Sequence, residues 1–330
     1  MIRMLCAVLF LCALPAPAAR ADEAGAYVVL ELEEAPLRRQ RLLDLSEQMA
    51  RALRGAAPAI AAADASSDDE AARIRVQSPA QSAIARQEIE AALAFYGMQN
   101  QVTLDADAEG RITARFTEDG WRAELQQTQA QSLEIIRRRL DPAASRGIIL
   151  ESRADGRIFV RDPSESDPER LRTRIGVTGA LTFHLVLDEF DALSDEPLPN
   201  DAMRAPAHAS ASSQAPEIVD RAALMTGERL VRADPTEDIQ TGMMVLSFQF
   251  DASGARIFCG VTRKHVGRRF AVLLDGRVLT APRINEAICG GSGQISGNFD
   301  AASASELAIL LRSGALPAPL RIVEQGVGAR

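Results

Sequence analysis

The amino-acid sequence predicts an α+β protein built from repeated units of the order β-α-β-β-α-β. Three observations carry this. Short apolar runs of period two alternate with longer runs of period 3.6 along the 330-residue chain. Two Asp-Gly pairs, Asp155-Gly156 and Asp275-Gly276, sit between strand-like runs, where they signal two-residue hairpin turns. Hydrophobic residues make up 47% and charged residues 25%, ordinary globular values for a chain long enough to hold two or three cores.

Residues 1–21 read as a signal peptide. Arg3 precedes an apolar run at 4–14, and the segment ends in the small-residue pattern Ala19-Arg20-Ala21, with cleavage expected after Ala21. The run is too short for about 30 Å of hydrocarbon. No later run reaches membrane length, so the expected product is exported to the periplasm, with a retained N-terminal anchor as the alternative.

Residues 22–117 are expected to form an N-terminal ferredoxin-like unit. The stretch 27–33 alternates as a strand, and 36–54 carries Leu37, Leu42, Leu45, Met49 and Leu53 at helical spacing. An Ala-rich loop at 56–70 holds one further strand candidate and is followed by a short strand at 73–77. A helix then begins at Pro79, whose missing N–H costs nothing there, and ends at Gly97. Strands at 101–105 and 111–116 complete a sheet with helices on one face.

A second unit is expected over 118–188. Its long helix, 118–140, is striped by Leu125, Leu133, Ile136 and Leu140 and stopped by Pro142. A hairpin about Asp155-Gly156, a short helix at 168–175 and a strand at 180–187 follow. Residues 189–226 lose all periodicity and are rich in Ala, Ser, Pro and Asp, which predicts a mobile low-complexity excursion.

The third unit spans 227–330. A strand at 245–250 leads to a helix over 252–266, capped by Asp251 or Ser253 and ended by Gly267. A hairpin about Asp275-Gly276 is stopped by Pro282. A glycine-rich segment at 290–293 precedes an extended stretch at 294–298. Asp300 caps a helix running through Arg312, and 320–324 is the closing strand.

The net charge of −8 and the scarcity of aromatics exclude a basic nucleic-acid surface or a base-stacking platform. Gly290–Gly293 lacks the Lys-Ser/Thr that a phosphate loop requires, so it reads as a tight turn. His184, His208 and His265 have no ligand spacing and no evident nucleophile, and the carboxylates Asp188, Glu189 and Asp191 read as a solvated strand exit. No enzyme, cofactor or metal site is expected. Cys259 and Cys289 fit either a disulfide, as an oxidising compartment permits, or two buried free thiols.

The third unit also carries an ordered series of small motifs. These are 247–256 (SFQFDASGAR), 266–269 (VGRR), 274–278 (LDGRV), Ala281-Pro282, 290–299 (GGSGQISGNF) and 310–319 (LLRSGALPAP). The series resembles the first periplasmic domain, P1, of the SecD protein-export membrane proteins. Residues 135–141 are similar to the helix that precedes the same family's base hairpin, 179–186 to its returning strand, and 27–33 to the strand that follows the family's first membrane helix. The resemblance implies a base with an inserted head subdomain, and a structural or polypeptide-binding role for Gly267, Asp275, Gly276, Pro282, Gly290, Gly291, Gly293, Gln294, Gly297 and Asn298. It implies an unfolded or emerging preprotein as client and a Sec translocon membrane subunit as partner. Residues 142–150 and 162–165 depart from the family pattern. The family enters its proton-coupled membrane bundle just beyond Gln325, and this sequence does not. The expected function is thus a SecD-like module assisting translocation without its own motor. The alternative is an envelope interaction module that kept the fold and lost the export role.

Overall fold

The computed structural model describes residues 25–328 apart from 154 and 177; the signal peptide expected at 1–21 lies outside the described residues. The α+β class holds, with its sheets antiparallel and its helices packed against them. The ferredoxin-like order is present too, but its strands come from different places than their neighbours in sequence suggest.

The base is assembled from both ends of the chain. Strand β1 (Ala26–Leu32) lies at the centre of a sheet of order β17-β1-β7-β6, with β6 at Ile149–Ser152, β7 at Arg157–Asp162 and β17 at Leu320–Val327. Val28 pairs with Gln325 and Val160, so the first and last strands are direct neighbours. Helices α3 (Glu118–Leu140) and α4 (Pro168–Ile175) pack on this sheet and bury Val28, Leu30, Ile136, Leu140, Ile158, Val160, Leu171 and Ile175. The base therefore reads β1-α3-β6-β7-α4-β17, a complete β-α-β-β-α-β unit interrupted twice.

This corrects the expected grouping of 22–117. The stretch at 27–33 is a strand, but it leaves that unit and pairs with residues nearly 300 positions away. Period-two alternation states which face of a strand is buried and says nothing of its partner. What remains of the first unit is an insert between β1 and α3. Helices α1 (Glu34–Gly55) and α2 (Ser82–Phe95) cover a sheet of order β2-β3-β5-β4, formed by Ala62–Ser67, Ala72–Val76, Arg111–Phe116 and Val102–Ala106 respectively. Leu42, Leu45, Met49, Leu53, Ile74, Ile89 and Ile112 form its separate core.

The head is the second interruption, between α4 and β17. Strand β8 (Leu181–Leu185) was expected to close the second unit. It belongs instead to the head, pairing with β14 (Phe270–Leu274) from Leu181↔Leu274 to Leu185↔Phe270. Two sheets face each other. One has the order β11-β8-β14-β15, with β11 at Met225–Thr226 and β15 at Arg277–Thr280. The other is β12-β13-β16, with strands Leu230–Glu237, Met244–Phe250 and Ser292–Phe299. Helices α5 (Ala252–Lys264) and α6 (Ala301–Ser313) complete it. Asp251 caps α5 by accepting from Gly254 N at 2.6 Å, and Asp300 with Ser303 forms a capping box on α6. Five phenylalanines, at 183, 248, 250, 258 and 270, pack with ring centroids 5.4–6.2 Å apart and centre the core on Phe183.

The excursion expected at 189–226 is also corrected. It carries an antiparallel ladder of β9 (Ala202–Ala205) and β10 (Glu217–Asp220), and Val219 bridges to Val186. Ala202, Ala205 and Ala211 are buried. The small residues that read as low complexity are the ones that let this segment lie close against the head sheet.

One side chain gathers the crossings between base and head. Arg139, on the last turn of α3, is buried. Its guanidinium donates to Ile175 O (2.6 Å), Thr178 O (2.9 Å), Gly314 O (2.9 Å) and Ser313 Oγ (3.1 Å). Those acceptors lie at the end of α4, on the outgoing connection and at the end of α6. Burial pulls the guanidinium down to about 10, opposed by the Asp275 charge, so it stays protonated at neutral pH. Arg139→Met should lower unfolding free energy by about 3 kcal/mol, because several buried acceptors lose their donor at once. Arg139→Lys should rescue only part of this, since an ammonium lacks the planar fork. Urea unfolding of the three proteins checks both expectations.

Candidate interaction site

The residues singled out by the sequence motifs all fall in the head, where most of them turn the chain, bond to a neighbouring segment or admit a close approach. Asp275 and Gly276 sit at φ 49° and 75°, the left-handed pair that a two-residue hairpin requires. Asp275 does more than turn. Its carboxylate accepts from Gly179 N (3.0 Å) and Ala180 N (2.9 Å), and its own N–H donates to Ala180 O (2.9 Å). The hairpin tip is therefore fastened to the outgoing connection that Arg139 grips. Sequence alone offered no signal for this bond, which joins residues about 95 positions apart.

Gly267 donates its N–H to Ile284 O (2.7 Å) and accepts from the Arg283 guanidinium. The Pro282 carbonyl accepts from Phe270 N at 2.9 Å, which continues the strand pairing past the end of β15. Beside them Arg269 is held by Glu217 and by Asp188 (2.8 Å). Its guanidinium is raised further, first by the Glu217 hydrogen bond. Arg269, just before β14, is thus paired with both ends of the 188–217 segment.

The glycine-rich stretch is a close-packing device. Only its first part is a loop; β16 begins at Ser292. At Gly291, φ +71°, an added Cβ would stand 2.5 Å from the Ala255 Cβ, and the Gly291 carbonyl accepts from Phe250 N at 2.9 Å. Gly293 lies under the Phe248 ring, where a Cβ would come within 2.6 Å of Cζ. Gln294 pairs with Ser247 in the ladder. At Gly297 the Ser210 carbonyl comes to 2.4 Å of where a Cβ would stand, and Asn298 donates its N–H to that carbonyl (2.9 Å) and its Nδ2 to Ala211 O (3.3 Å). Gly290 meets nothing within 4 Å. Gly293→Ala should cost about 1–3 kcal/mol, because Phe248 is locked in the aromatic cluster and cannot yield. Gly290→Ala should cost far less, and thermal melts of the two variants separate these outcomes.

Cys259 and Cys289 are joined in a disulfide with Cα atoms 4.3 Å apart, so of the two alternatives the bonded one is found. Neither cysteine is in the core: Cys259 is half-buried and Cys289 exposed. The bond ties α5 to the segment that enters Gly290 and Gly291. It closes a loop of 30 residues, for which chain entropy in the unfolded state predicts about 3–4 kcal/mol of stabilisation. Replacing both cysteines with Ser should lower stability by that order, and reductant should then leave the variant's unfolding midpoint unchanged while lowering that of the parent.

The three histidines are not brought together in one site. His184 Nδ1 sits 2.8 Å from Asp220 O, and burial holds the ring below its ordinary pKa; His208 Nδ1 accepts from Ser210 N. Among the described residues no group of three or more His, Cys, Asp or Glu could hold a metal ion. None of their helices is long and apolar enough to cross a membrane.

The turn between β12 and β13 is a surface feature the sequence reading missed. Asp238 accepts from Gln240 N (2.9 Å) and Thr241 N (2.8 Å) and from the Thr241 hydroxyl, and these bonds hold its carboxyl below the usual range. The braced turn presents Ile239 at 101% exposure and Met243 at 56%. Both are large apolar side chains carried on a hydrogen-bonded turn of the head.

The described residues thus form an α+β module in three parts, a base of β-α-β-β-α-β order, an insert with its own core and a two-sheet head. Residues 203–318 match the family described as the SecDF P1 head subdomain. The protein translocase subunit SecD of Acetobacter pasteurianus is 39% identical over 228 residues, and that of Rickettsia bellii 36% over 225; each comparison covers 68% of this chain and 43% of the relative. A crystal structure of SecDF in its super-membrane-facing form is similar with TM-score 0.50 and 29% identity, covering 62% of this chain and 28% of that one. The chain is thus similar to SecD over about two thirds of its length, with the P1 head matched at 203–318, and it spans less than half the length of these curated relatives.

Proposed function

We propose that this protein acts in Sec-dependent protein export as a periplasmic module that binds emerging or unfolded polypeptide. The observation that carries the reading is the coincidence of a SecDF P1 head with an apolar, pre-braced tip on that head. An unfolded client exposes apolar side chains that a folded protein hides. A rigid surface bearing Ile239 and Met243 gains contact area with such a client at little conformational cost. The acidic balance of the chain, −8, suits a surface that rejects nucleic acid and does not depend on charge to capture its client. The similarity to proteins named as translocase subunits supports a translocon membrane subunit as the second partner.

A photo-crosslinking amino acid at position 239, in the protein expressed in its native envelope, tests this. Crosslinks to a preprotein arrested during export, or to a translocon subunit, are expected. They should fall severalfold when Met243→Ser removes the neighbouring apolar surface. Crosslinks confined to folded envelope proteins would favour the interaction module that has lost the export role.

A further inference from the structure

The acidic balance of the chain is not evenly spread. Residues 252–289 hold seven cations, Arg256, Arg263, Lys264, Arg268, Arg269, Arg277 and Arg283, and two carboxylates, Asp275 and Glu286, in a protein of net charge −8. Lys264 is the only lysine in the whole sequence.

The fold collects five of these cations on one outer surface of the head. Arg256, Arg263 and Lys264 fall within one arc of α5, opposite the buried Phe258, and all three are exposed. Arg268 follows the end of the helix, and its backbone carbonyl accepts from Ile284 N at 2.8 Å. That pairing brings in Arg283, whose guanidinium donates to Gly267 O. Ile257, on the same arc of α5, is 45% exposed, and Val266, between Lys264 and Arg268 in sequence, is 51% exposed.

The positive charge of this surface is not neutralised from within. Arg256 donates to Ser253 Oγ (2.8 Å) and Arg263 to Cys259 Sγ (3.3 Å), both uncharged acceptors. Among the described residues none of the five cations is paired with a carboxylate. Arg269, by contrast, is held by Glu217 and Asp188. Asp275 is committed to Gly179 and Ala180, and Asp251, at the far end of α5, to Gly254 N and Arg229. Of the two carboxylates in the stretch, Glu286 alone is exposed.

We propose that this face of α5 docks on an anionic lipid surface. A row of unneutralised cations attracts a layer of phosphate headgroups, and each Lys or Arg near such a layer is worth about fivefold in partition. The aliphatic pair decides between a lipid layer and an acidic polypeptide. An acidic segment would pair with the cations and leave Ile257 and Val266 in water. Headgroups above acyl chains receive both kinds of side chain, with the long cationic stems reaching back to the phosphates. From Arg256 to Lys264 the row runs about 12 Å along the axis, so the contact is a helix lying on a surface, unlike the point contact a single free anion would make. The rest of the chain is net negative and is repelled by the same lipid, so the contact also sets which way the head faces. This docking is separate from the capture of polypeptide at Ile239 and does not depend on it.

Lys264 reports the contact directly, because acylation of side-chain amines followed by peptide mapping reads this one position. The purified protein is labelled with vesicles of phosphatidylcholine alone or of an equal mixture with phosphatidylglycerol. The anionic vesicles should protect Lys264 several-fold and the neutral ones should not, and the protection should fade as salt shortens the screening length. Arg256→Gln with Arg268→Gln should raise the lipid concentration giving half protection about 25-fold, two fivefold steps. Ile257→Ser should raise it several-fold with no change of charge. Arg51→Gln with Arg86→Gln removes the same charge from ion pairs on the insert and should leave the protection unchanged. Equal protection by both vesicles, no protection by either, an equal loss in the two double variants, or an unchanged Ile257→Ser variant overturns the proposal. Protection of Lys264 by soluble polyaspartate but not by anionic vesicles also overturns it and assigns the face to an acidic polypeptide.

Discussion

The structure depends on a single buried guanidinium. Because β1 and β17 must pair, the chain has to leave the base for the head and come back at almost the same place. Both crossings leave carbonyls at helix ends, where no intrahelical partner exists. Arg139 meets the carbonyls of Ile175, Thr178 and Gly314 together, which only a forked, permanently charged donor can do. Asp275 completes the junction from the head side by accepting from Gly179 and Ala180. Gly179, at φ +74°, leaves room for this: a Cβ there would stand 2.7 Å from Arg139 Nη2.

Beyond the junction the head is organised by close approach. The cluster of five phenylalanines sets the spacing of its two sheets, and the glycines allow backbone to reach it. Gly293 accepts the Phe248 ring as a lid, Gly291 admits the start of α5, and Gly297 admits the Ser210 carbonyl. The same stretch that suggested an anion loop thus has its amides and its space committed to the protein. The disulfide at Cys259–Cys289 holds the entrance of that stretch against α5. The surface proposed for a partner lies where these commitments end, at the Asp238-braced tip.

Much of this was legible in the sequence. The helices begin and end near their expected caps, and the Asp-Gly turn and the order of motifs in the head were readable because each rests on local chemistry. The tip was less so: Ile239 and Met243 follow a turn whose brace, Asp238, looks like any solvated aspartate.

What the sequence determined by itself is everything carried by short-range periodicity and stereochemistry: the α+β class, the elements, the caps, the glycine turn, and a likeness of motifs to the SecD P1 region. Only the tertiary structure decided how those elements are shared. It moved the first strand from the insert to the base, gave strand 181–185 to the head, and ordered the alanine-rich 189–226 segment. It also joined the two cysteines. The physical reason is the same throughout. A strand's unpaired edge, a small side chain and a neutral amide accept many partners with similar energy, and long-range packing alone selects among them.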